Sequence, residues 1–157
     1  MTIHYRVDAA RPDEHRARFS VEVPDVRGPS LDLVVPSWVP GSYHLVNYVR
    51  GFRDVTARNA ADGAALRVDR AEASRWRVHT GGAPAVRFDY SVYGHEMVTE
   101  AFDRTSDHLF LNAALALPFV DGRLGEPVEV ELQLPRDWTV VTELEEVRAQ
   151  PPTFRAG

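Results

Sequence analysis

Six histidines, 23 acidic residues and no cysteine set the range of chemistry open to this chain's side chains. The most suggestive string is His95-Glu96-Met97-Val98-Thr99-Glu100. Zinc hydrolysis on a helix takes His-Glu-x-x-His, because imidazoles four apart share one helical face and the Glu activates water. Here Thr99 holds the second histidine position, and a threonine hydroxyl is a poor zinc ligand. The string also follows a strand-like run and Gly94, not a helix start. It reads as polar residues of a loop or strand edge. The remaining histidines, His4, His15, His44, His79 and His108, are scattered, several on the outward face of strand-like runs. No spacing among them builds a metal site.

Other chemistries fare no better. Ser42, in Pro40-Gly41-Ser42-Tyr43, lacks the Gly-x-Ser-x-Gly elbow, and no Asp or His spacing completes a triad. Gly81-Gly82 is a turn, since no glycine-rich loop leads into a helix that could cradle phosphate. Acid pairs such as Glu145-Glu146 and Asp103/Asp107 read as solvated loop residues. All 18 basic residues are Arg, which removes Schiff-base and lysine general-base chemistry. Without cysteine there are no disulfides, thiolate nucleophiles or Cys-ligated metals, and a reducing cytoplasm fits. A net charge of −5 argues against nucleic acid as a partner. The apolar runs are too short for a membrane span, and Met1–Arg6 lacks the apolar core of a signal peptide. A cytoplasmic domain is the expectation.

Hydrophobic periodicity is two almost throughout, the period of strands. Ile3, Tyr5 and Val7 alternate with His4, Arg6 and Asp8; Ala17, Phe19, Val21 and Val23 alternate with Arg18, Ser20 and Glu22. Similar runs occupy 31–35, 52–58, 65–70, 75–79, 86–93, 108–112, 128–134 and 138–142. Asp62-Gly63 marks a hairpin turn. Helical turns are expected only around 43–49 or 113–117. About ten short, mostly antiparallel strands predict an all-β, two-sheet, sandwich-like domain. It is expected to fill residues 1–148, and the Pro-Pro-bearing 149–157 reads as the start of an interdomain linker.

The distinctive stretch runs from Pro36 through Trp38, Pro40-Gly41-Ser42-Tyr43, His44 and Tyr48 to Phe52. Pro-Gly presets a tight turn, and Trp38, Tyr43 and Tyr48 offer large apolar area with polar tips. Two roles suit such residues: a core corner, or a docking surface at a domain boundary or substrate rim.

Pro36, Trp38, Pro40, Gly41, Ser42 and Tyr43 resemble the N-terminal domain of the glycyl aminopeptidase family, metallopeptidase family sixty-one. The resemblance extends through Tyr5-Arg6-Val7, Trp76-Arg77-Val78, Tyr90-Ser91-Val92-Tyr93, Asp107 to Asn112, and Leu134 to Trp138. Asn47 departs from it, standing where the family commonly carries an acid. The resemblance implies a β-rich, non-catalytic domain preceding a thermolysin-like zinc domain, often with a PDZ domain after it. No catalytic or metal residue carries over to this chain, so zinc belongs to the parent's catalytic domain. That domain and its peptide substrate are the implied partners, with Trp38, Tyr43, His44 and Tyr48 as the implied contact surface. The reading from a different class is a free-standing β-sandwich module for carbohydrate or peptide. A planar row of exposed aromatics would favour it; an apolar patch around 38–48 would favour a domain partner. A small enzyme in its own right would need a deep pocket of perturbed titrating groups.

Overall fold

Alternation in sequence becomes alternation in burial: Ile3, Tyr5 and Val7 are buried while His4 and Arg6 are exposed. The computed structural model describes residues 1–11, 15–38, 43–45, 47–97 and 102–156. Its strands are β1 (Ile3–Asp8), β2 (Arg16–Val23), β3 (Ser30–Val34), β4 (Phe52–Asn59), β5 (Ala65–Leu66), β6 (Val68–Glu72) and β7 (Arg75–His79). They continue as β8 (Val86–Tyr93), β9 (Phe102–Arg104), β10 (Leu109–Leu111), β11 (Phe119–Val120), β12 (Val128–Gln133), β13 (Glu145–Ala149) and β14 (Pro152–Ala156). A 3-10 turn spans Tyr48–Gly51, and α1 is the single-turn helix Ala113–Ala116.

The large sheet orders eight strands as β13-β14-β12-β1-β2-β8-β4-β5, and the small sheet orders four as β11-β3-β7-β6. β9 and β10 form a separate ribbon. Pairing is antiparallel except between β1 and β12, which run parallel. The fold is the all-β, sandwich-like domain that the alternation predicts.

Aromatic rings fill the space between the sheets. Phe52 stacks on Tyr90 at 4.9 Å and on Trp76 at 5.2 Å, while Phe19 stacks on the other side of the group against Tyr90 at 5.1 Å. Each such side chain contributes roughly 1.5–3 kcal/mol on burial. Two buried phenols tie the irregular top to this core. Tyr5 donates to the Pro118 carbonyl at 3.0 Å and Tyr90 to the Ala116 carbonyl at 2.7 Å. Burial pushes the Tyr5 hydroxyl up to about 12 and raises that of Tyr90 as well.

Both outer faces are charged. On the large sheet Glu131 meets Arg6 at 3.0 Å and Arg148 at 2.6 Å, and Glu129 meets Arg155 at 2.7 Å. On the small sheet Asp32 accepts from Arg77 at 2.8 Å and Arg75 at 3.1 Å.

Two expectations about the C-terminal stretch meet a different structure. Residues 138–142 alternate, yet 134–144 lies in no strand or helix. The Trp138 N–H bonds the Pro135 carbonyl in a turn, and its indole lies 4.8 Å beneath the Arg104 guanidinium. Position 138 is thereby committed to a turn. Within 149–157, read from sequence as linker, β14 pairs with β12 and buries Thr153 and Phe154. Proline is tolerated at the first residue of a strand, where Pro152 stands.

Candidate functional site

The stretch that ends at Phe52 is anchored at both ends: before Pro36, Val35 is buried and its N–H bonds the Ser74 carbonyl at 3.0 Å. Phe52 opens β4 in the aromatic core, and Val49 in the 3-10 turn is buried. Gly51 lets that turn press against β8: a Cβ there would lie 2.6 Å from the Tyr93 carbonyl oxygen. Trp38 is 49% exposed and Tyr43 96% exposed, with His44 and Leu45 also in solvent. Tyr48, half-buried, opens the 3-10 turn and packs against the core, and the turn itself rests on α1. Of the four predicted contact residues, three are therefore at the surface and Tyr48 bridges surface and core. The predicted Pro40-Gly41 turn and Ser42 lie outside the described residues. An ion pair at 3.0 Å joins Arg50 to Glu96. It draws in the stretch after β8, where Met97 is exposed, as is Tyr93 at the end of β8.

Beside this stretch is a cluster of imidazoles and carboxylates that sequence spacing gave no reason to group. Asp103, 4% exposed, accepts from His108 Nε2 at 2.7 Å and lies 3.3 Å from His95 Nδ1. His95 stacks on His15 with ring centroids 3.9 Å apart, and His15 Nδ1 meets the Arg104 carbonyl at 2.6 Å. The β9–β10 ribbon makes the grouping, with a His95–Asp103 bridge fixing it to the end of β8. Thr99 and Glu100 lie outside the described residues.

Thr105, His108 and Asp103 mimic a hydroxyl–imidazole–carboxylate relay, with Thr105 Oγ1 2.9 Å from His108 Nδ1. Asp107 engages both the hydroxyl and the imidazole, however. Thr105 donates to Asp107 Oδ1 at 2.5 Å, and His108 Nδ1 is 2.9 Å from the same oxygen. The bond to Asp103, reinforced by that to Asp107, holds His108 above the ordinary imidazole range. Thr105 Oγ1 and His108 Nδ1 both face the same Asp107 oxygen, so the three side chains close on one another. This is a turn lock: the Thr105 N–H also closes on the His108 carbonyl at 3.0 Å. Among the described residues no group of three or more His, Asp or Glu is placed to hold a metal ion. Among them, too, no helix is long and apolar enough to cross a membrane.

The family model of the Peptidase M61 N-terminal domain matches residues 4–157. No curated protein matches the chain. An aminopeptidase N family protein from Idiomarina loihiensis superposes with a TM-score of 0.89 at 23% identity. The match covers 99% of this chain and 27% of that one. An M1 zinc metallopeptidase from Deinococcus radiodurans, solved with a Tyr-Ser-Ala substrate, superposes with a TM-score of 0.51 at 15% identity. It is covered to 38%, and this chain to 99%. At such identities the likeness is one of fold.

Proposed function

Because this chain belongs to the Peptidase M61 N-terminal domain family, we propose that it is the non-catalytic β domain of a zinc aminopeptidase of the glycyl aminopeptidase type. In this reading the domain packs on a catalytic domain of the same polypeptide. It walls part of the cleft that receives a peptide's N-terminus, and it works in the cytoplasm. The observation that carries the reading is coverage: residues 4–157 match one family model, and the fold occupies 27% of a longer aminopeptidase-family protein. Zinc and the water-activating residue would then reside in the catalytic domain.

Trp38, Tyr43 and His44 are our candidates for the contact with that domain or with bound peptide, and Tyr48 is the post that holds them. Exposed Trp38 and Tyr43 are accompanied by exposed Leu45, a mixture of aromatic and aliphatic area. That supports a protein contact over a sugar-stacking platform. The test is the encoded full-length protein with Trp38→Ala and Tyr43→Ala, assayed on Gly- and Ala-anilides. These side chains are too exposed to carry the fold, so a loss of about tenfold in kcat/KM, or ~1.4 kcal/mol, is the expected result. Unchanged kinetics in both variants would remove this stretch from the cleft.

A further inference from the structure

The large sheet outruns the small one. Contacts of Trp76 with Phe52 and Phe88 set the small sheet against the β4–β8 half of the large sheet. Beneath the β12–β14 wing the cover is instead the β9–β10 ribbon, α1 and the 134–144 segment. Between them an open trough of about 640 Å³ remains. Leu109, Leu111, Leu132, Leu134, Trp138 and Phe154 line it.

Its lip is unusual. The 134–144 segment lacks regular structure yet carries Trp138, Val140, Val141 and Leu144 along the trough, with Val141 95% exposed. Connecting segments are ordinarily polar, and apolar side chains held in water on one are the mark of an interaction surface. Around the apolar floor stand Asp107, Asp137, Thr139 and Thr142, a polar rim about an apolar centre, as at protein–protein contacts. The two broad outer faces are poor alternatives. Both carry paired charges, and covering them would cost the hydration of Glu131, Arg148, Asp32 and Arg77. The trough also adjoins α1, on which the Tyr48–Gly51 turn rests.

We propose that this trough is the seat of the catalytic domain, which places an apolar element against Trp138 and Val141. The proposal rests on the functional reading above, because that reading supplies the occupant. A domain of this kind leaves roughly three-quarters of the Idiomarina chain outside it, ample to provide one.

Hydroxyl-radical footprinting of the encoded full-length protein tests this, with zinc content and Gly-anilide turnover measured on the same sample. Leu124, 74% exposed at a distant turn, is the internal reference. Labelling of Val141 is expected to be lost while Leu124 labels freely. Val141→Glu, a change at a side chain too exposed to disturb the domain, is expected to return label to Trp138 and Leu144. Val141 labelled as readily as Leu124, in a protein that holds zinc and turns over, would overturn the trough and leave the functional reading standing. A full-length protein with neither zinc nor turnover would overturn the reading, and with it the occupant named here.

Discussion

A methyl group at position 94 would sit 2.1 Å from the carbonyl oxygen of Phe102. That closeness is what stitches the β9–β10 ribbon to the large sheet. The Gly94 N–H bonds the His15 carbonyl at 3.1 Å, and the Gly94 carbonyl accepts from the Arg104 N–H at 3.2 Å. Gly94→Ala is expected to cost about 1–3 kcal/mol, the range of overpacked sites, and a thermal melt reads it. An unshifted melt would mean the ribbon is not held this way. His108 gives a second prediction at this scale. Its pKa lies above the ordinary imidazole value because of Asp103 first and Asp107 second. The sign follows: the stabilisation is fully present below the ordinary imidazole pKa and is lost as pH rises through the raised folded value. Asp103→Asn should lower the His108 pKa in an NMR titration and flatten that loss. An unmoved titration would contradict the assignment. None of this was legible in the sequence. His15 and His95 are 80 positions apart, and nothing short of the folded ribbon brings them together. The Trp38–Tyr43 string, by contrast, is local, and its distinctive residues stand out unaided.

Among the elements, the alternating strands were the readable ones, since period-two burial is written directly in runs such as Val86–Tyr93. The C-terminal hairpin was not readable. β13 carries Glu145, Glu146 and Arg148 with little apolar alternation, and Pro151-Pro152 looks like punctuation. What secures it is long-range: Phe154 pairs with Val130 and is buried, and Arg148 reaches Glu131 and Thr153. Phe154→Ala is therefore expected to destabilise the domain by about 3–5 kcal/mol. Melting of the variant and its parent chain checks this, and a change near zero would restore the linker reading of this stretch. In the small sheet, Asp32 lies below the usual carboxylate range because Arg77, then Arg75, hold its charged form. Its contribution is present above the ordinary carboxylate pKa and lost as pH falls through the depressed folded value. Asp32→Asn should narrow the acid-induced loss of stability in a pH series of denaturant melts. An identical acid limb would show that the ladder contributes nothing.

For the whole molecule, the arrangement of surfaces matters more than any residue. Charge lines the two broad faces, while exposed apolar side chains stand on the Trp38–Leu45 stretch and at Val141 on the 134–144 lip. In the reading proposed above, a catalytic domain covers that apolar area; what is shown is the family of this domain and a fold shared with a longer protein. The most direct test measures zinc stoichiometry and turnover of Gly- and Ala-anilides for two proteins side by side: this 157-residue chain and the encoded full-length polypeptide. The account predicts bound zinc and turnover in the full-length protein alone. Stoichiometric zinc or turnover in the 157-residue chain, or a full-length protein with neither, would contradict it.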